Sequence, residues 1–136
     1  MNKLLSLVLA LPLLLQALPA SASPAPDSYD VFIPIAKYIR AGDADRLSAW
    51  FADNLEITIF SQTSDSSRSQ AKQIVRAFFQ RYSPRSFEIT HTAERSNMKY
   101  AVGVLTAGDE SFAVTIFVSL KGSSYSIQQL KIEKID

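Results

Sequence analysis

The sequence predicts one α+β domain, with helices packed on one face of an antiparallel sheet. Two observations carry this. Before Pro84 the apolar residues recur mostly at helical spacing, and after it they recur at every second residue. Helical segments followed by a run of strands belong to the α+β class, since an alternating order would be needed for a parallel sheet.

Val31 to Ala41 is apolar at most positions, with Ser28 or Asp30 in place to cap its start and Gly42 its end. Pro34 must then sit near the first turn, where a missing N–H costs little. Asp43 can cap a second short helix containing Leu47, Trp50 and Phe51. Leu55, Ile57 and Ile59 alternate with Glu56 and Thr58, the pattern of a strand. The serine-rich stretch from Ser61 to Ser69 reads as a solvated loop. The next helix is the clearest element. Ser67 and Gln70 form a capping box, and Ala71, Ile74, Val75, Phe78, Phe79 and Tyr82 make one stripe that Pro84 ends. Arg68, Lys72 and Arg76 line another face, which is expected to be solvated.

Four strands follow. Phe87, Ile89, His91 and Ala93 share one face of the first, taken as the inner one. Ser96-Asn97, Gly108-Asp109 and Lys121 to Ser124 are the turns between strands. Val102, Val104, Val114 and Ile116 are expected to point inward. That leaves Ala101, Gly103, Leu105, Ala113, Thr115 and Phe117 outward. In the last strand the apolar phase slips from Tyr125 and Ile127 to Leu130 and Ile132. A β-bulge between Gln128 and Gln129 would produce that slip.

Residues 1–22 have the three parts of a secretory signal peptide: Lys3, an apolar run from Leu4 to Leu15, and an Ala20-Ser21-Ala22 ending. The run is too short, and too interrupted by Pro12 and Pro19, for a spanning helix of ~20 residues. Cleavage is expected after Ala22. Residues 23–28 would form a disordered leader and residues 29–136 the domain, exported to the periplasm or outside the cell, with no membrane span after cleavage. The chain has no Cys, which excludes disulfides, thiolate zinc sites and lipid attachment through a cysteine. Removing Lys3 leaves 13 basic residues against 13 acidic ones, so no global field draws in nucleic acid.

The segments from Phe32 to Ile39, Leu47 to Ala52, Met98 to Gly103 and Ile127 to Glu133 resemble a family of exported bacterial proteins of unknown function. The resemblance spans nearly all of residues 29–134. It implies the nuclear-transport-factor-2-like cone, also called ketosteroid-isomerase-like, in which a curved sheet wraps around the helices and encloses a pocket. It carries no catalytic motif, and a fold used by many activities implies no chemistry of its own.

Tyr38, Trp50, Tyr82 and Tyr100 are aromatics with polar tips. With His91, the only histidine, they are the candidates to line a pocket for a small apolar ligand. His91 could act as a general base with a tyrosine, as in an isomerase or hydrolase, but no inward Asp or Glu accompanies it. A single His with scattered carboxylates does not form a metal site, and four separated glycines form no phosphate loop, so no cofactor is expected. The outer sheet face is unusually apolar, which makes Leu105 and Phe117 candidates for a homodimer or partner interface. The expected function is a non-catalytic exported module that binds a small apolar ligand or a protein. The alternatives are a His/Tyr enzyme and a structural subunit of an envelope assembly.

Overall fold

Helix α1 (Phe32–Ala41) buries Phe32, Ile35, Ala36 and Ile39, one stripe at i, i+3, i+4 and i+7. The structure, a computed structural model, describes residues 30–136. The expected signal peptide (1–22) and leader (23–28) lie outside the described residues. Val31 occupies the N-cap position, and its own side chain makes no capping bond; Ser28, one of the two expected caps, lies outside the described residues. Pro34, in the first turn, lowers the need for a cap because it brings no N–H. The helix ends at Gly42, whose φ of 67° lets Gly42 and Asp43 donate back to the carbonyls of Ile39 and Tyr38. Helix α2 (Ala44–Ser48) is capped by Asp43, which accepts from the Arg46 N–H at 3.0 Å. It stops before Trp50 and Phe51, which sequence spacing had assigned to it. The Trp50 carbonyl instead accepts from the Ile127 N–H, and Phe51 opens a strand.

Strand β1 (Phe51–Ile59) buries Leu55 and Ile57 as expected. Ser61 to Ser69 does not form a loop. Gln62–Ser67 is strand β2, antiparallel to β1 with Ile57 opposite Ser64 and Ile59 opposite Gln62. Its short hydroxyl side chains suit an exposed edge strand. Thr63 bonds Thr58 through their hydroxyls at 2.8 Å, a cross-strand pair that supports the ladder. Helix α3 (Arg68–Arg81) begins in the predicted capping box, with Ser67 and Gln70 each satisfying the other's backbone N–H. Ala71, Val75, Phe78 and Phe79 are buried, while Ile74 and Tyr82 are half-buried beside them. The basic row on this helix is paired. Arg68 bonds the Asp53 carboxylate at 2.9 Å and the Phe51 carbonyl at 3.1 Å, and Lys72 and Arg76 both reach Asp45. These exposed pairs fix where α3 lies against α2 and β1 more than they stabilise it.

Strands β3 (Pro84–Arg95), β4 (Met98–Ala107), β5 (Glu110–Lys121) and β6 (Ser124–Ile135) form the predicted meander. The sheet order is β2-β1-β6-β5-β4-β3, antiparallel throughout except for the parallel β1–β6 pair. Lys134 and Glu110 meet at 2.7 Å across β5 and β6, and the hydrogen bond to Glu110 holds Lys134 above the ordinary lysine pKa. Residues 31–136 make one compact unit, and no helix of the described residues is long and apolar enough to cross a membrane.

The inner face of β4 is the opposite of the one predicted. Leu105 lies across from Phe112, Gly103 from Val114 and Ala101 from Ile116, and Ala101 and Leu105 are fully buried. Val102 and Val104 face outward, opposite Thr115 and Ala113. Both phases of this strand are apolar, so alternation alone could not choose between them. Close packing chooses. The Phe87 ring leans over Gly103, where a Cβ would sit 2.7 Å from two ring carbons and 2.7 Å from the Glu88 carbonyl oxygen. Only glycine fits there, and glycine at 103 therefore faces in. The bulge in β6 is where the phase slip put it: Phe117 pairs with Gln129 and Val118 with Ile127, leaving Gln128 as the extra residue.

Gly103→Ala must displace the Phe87 ring or the β3 backbone. Overpacking of this kind costs about 1–3 kcal/mol, which urea unfolding will show as a lower midpoint with an unchanged slope. A midpoint equal to that of the natural protein would mean that Phe87 does not lie over Gly103.

Candidate functional site

The six-stranded sheet has two unlike faces, and the predicted site residues divide between them. Tyr38 on α1, Trp50 in the turn before β1 and Tyr82 at the end of α3 are half-buried against the hydrophobic core. Tyr82 belongs to an aromatic cluster. Its ring is 5.0 Å from Phe78 and 5.0 Å from Phe112, and Phe60 covers the group with contacts at 6.1 to 6.3 Å. Phe60 holds a φ of 60°, rare for so large a residue, at the tip of the β1–β2 hairpin. These rings pack against one another, so Tyr38, Trp50 and Tyr82 do not converge with His91 and Tyr100 on one pocket.

His91 is not on the inner face with Phe87 and Ile89. The pairing of β3 with β4 shifts between Ile89, opposite Gly103, and His91, opposite Val102. Thr90 is the extra residue, and its hydroxyl donates to the Val102 carbonyl at 3.2 Å. One added residue turns every later side chain of the strand over. His91 therefore stands exposed on the outer face, with its ring 5.7 Å from that of Tyr100. Tyr100 stacks on Phe117 at 5.3 Å. Three predicted residues thus meet after all, in a row across β3, β4 and β5 on the outside of the sheet. Leu105, expected beside Phe117 at an interface, is fully buried and belongs to the core.

A cleft of about 360 Å³ opens beside this row, where β3 and β4 turn at Ser96-Asn97. Tyr100, Phe117, Met98 and Ala93 give it apolar walls, and Glu94, Arg95 and Lys99 add charge. Met98 is 45% exposed, unusual for so apolar a side chain. Glu94 and Lys99 pair at 3.7 Å, and the Lys99 ammonium also lies 4.9 Å from the centre of the Tyr125 ring. Arg95 and Met98 went unnoticed in the sequence, yet the Ser96-Asn97 turn places them directly opposite each other. A second hollow, of about 510 Å³, lies between β2 and α3, with Ile57, Ile59 and Ile74 as its apolar lining and Gln62, Thr63 and Ser64 at its polar side. Among the described residues no three His, Asp or Glu side chains gather as a metal site.

Known proteins agree on the architecture. The profile of a family described as a domain of unknown function (DUF4783) matches residues 32–133. A member of that family from Bacteroides uniformis has a similar crystal structure, with a TM-score of 0.75 at 22% identity over 79% of this chain and 99% of the other. A domain of unknown function with a cystatin-like fold from Nostoc punctiforme gives a TM-score of 0.62 at 11% identity, over 77% of this chain and 73% of that one. A nuclear-transport-factor-2-like protein of unknown function from Cytophaga hutchinsonii gives 0.58 at 8% identity, over 78% and 88%. At such identities the likeness shows the fold alone, and it is the cone-type fold that the family resemblance implied. No curated protein matches the chain.

Substitutions at the two residues first paired as an interface should separate cleanly. Leu105→Ala empties core volume and should cost about 2–5 kcal/mol. Phe117→Ala loses a half-exposed ring and its stacking on Tyr100, about 0.5–1.5 kcal/mol beyond burial. Equal losses in thermal unfolding would contradict the assignment of the two faces.

Proposed function

Because the chain belongs to the DUF4783 family of unknown function, whose fold dictates no reaction, we propose from its own surface that it is a non-catalytic binding module. Its ligand is a small, flat, apolar molecule held in the cleft beside Tyr100 and Phe117. The observation that carries this reading is the outward-facing row of exposed His91 and half-buried Tyr100 and Phe117 beside a cleft large enough for a small ligand. Stacked rings and a thioether give a planar guest broad contact at little cost in side-chain freedom. His91 serves as a ring in this reading. Its imidazole lies against the Tyr100 ring, and among the described residues no carboxylate is placed to orient it as a base would need. The sequence of residues 1–22 supports action outside the cytoplasm, and the exported protein should begin at Ser23 by intact mass.

A second copy is the other occupant with an observation behind it. Val102, Val104 and Ala113 continue the outer face beyond the rings, apolar and only half covered. Sedimentation equilibrium of the purified protein would show a dimer if this face pairs, and a monomer if the rings serve a small ligand alone.

Native mass spectrometry of protein purified gently from source cells tests the ligand reading. The natural protein should carry a reproducible added mass that Phe117→Asp, checked for folding by circular dichroism, does not. A natural protein without added mass, or a Phe117→Asp variant that retains it, would overturn the proposal.

A further inference from the structure

The charges at the cleft are unequal in their freedom, and this bears on what the ligand must carry. Glu94 and Lys99 stand directly opposite each other in the β3–β4 pairing and neutralise each other at 3.7 Å. Arg95 stands opposite Met98, and two residues along, on the same face, Ala93 stands opposite Tyr100. The Arg95 guanidinium thus rises from the aromatic side of the hairpin. It is exposed, and among the described residues it makes no ion pair and no side-chain hydrogen bond. An arginine presents five N–H donors in a planar fork that fits a carboxylate through two parallel bonds.

Resting on the cleft reading, we infer that the ligand is an acid: a planar apolar body carrying one carboxylate, with the ring against Tyr100 and Phe117 and the carboxylate on Arg95. The spacing fits such a molecule. Two residues of strand separate the Met98–Arg95 pair from the Tyr100–Ala93 pair, a distance of about 7 Å at ~3.4 Å per residue. That is close to the reach from the far ring of a fused bicyclic acid to its carboxyl group. Beside apolar walls a charge-assisted bond is less screened than in open water, so the acid gains more than a neutral guest of the same shape. Glu94 and its partner Lys99 lie on the opposite phase of the hairpin from Arg95.

The test uses two probes of one shape, 2-naphthoate and its neutral amide, 2-naphthamide, titrated into the purified protein by fluorescence at neutral pH. The natural protein should bind the acid at least tenfold more tightly than the amide. Added salt should narrow that gap. Arg95→Gln should bring the acid down to the level of the amide, Arg95→Lys should keep part of the preference, and Lys37→Gln, a charge removed from α1, should leave it intact. Equal affinity of the natural protein for both probes, with both lost in Tyr100→Ala, would overturn the acid and leave the cleft standing. Binding of neither probe, or affinities untouched by Tyr100→Ala, would overturn both.

Discussion

A β-strand has two faces, and one residue of offset exchanges them. The proposed site depends on where that offset occurs. The extra residue at Thr90 carries His91 from the concave side of the sheet to the convex side, next to Tyr100. The extra residue at Gln128 lets Ile127 and Leu130, an odd number of positions apart, both enter the core. Without the first bulge the histidine would sit over the core with Phe87. With it, the outer face gains its aromatic row and the core keeps only apolar groups at that level. Bulges also raise local twist, as a sheet that curves around its helices requires.

The inner face is set by size. Glycine at 103 makes room for the Phe87 ring of β3, and valines at 102 and 104 are left to the outside. Phe60, Phe78, Tyr82 and Phe112 then pack ring on ring against the core. Phe60 does so from a left-handed backbone conformation, which costs of order 1–3 kcal/mol and persists because three ring contacts hold it there. Aromatic surface spent on that packing is unavailable to a ligand. Tyr100 and Phe117 face outward beside the cleft at the β3–β4 hairpin, which is where the proposed ligand is placed.

Much of the fold was legible because its signals were local. The capping box at Ser67 and Gln70, the glycine end of α1, the three hairpin turns and the slip at Gln128 each depend on residues close in sequence. The ladder of β2 was not legible, because serine and threonine in an exposed edge strand look like serine and threonine in a loop. The faces of β4 were legible by a route that alternation hides. A two-residue turn at Gly108-Asp109 forces Leu105 opposite Phe112 and Val102 opposite Thr115, so Val102 cannot share a face with Val114. Counting back from the Ser96-Asn97 turn likewise puts His91 opposite Val102 and Arg95 opposite Met98. Counting from the turns gives the faces of these residues, whereas reading hydrophobicity along one strand does not.

The grouping of His91, Tyr100 and Phe117 on the outer face is the claim on which the cleft, its ligand and its acid preference all stand. Nuclear Overhauser contacts from the single imidazole test it directly. The account predicts contacts from His91 to the Tyr100 ring and none to Phe87 or Phe112. Contacts from His91 to Phe87 would put the histidine back inside the sheet, remove the bulge at Thr90, and contradict the account at its root.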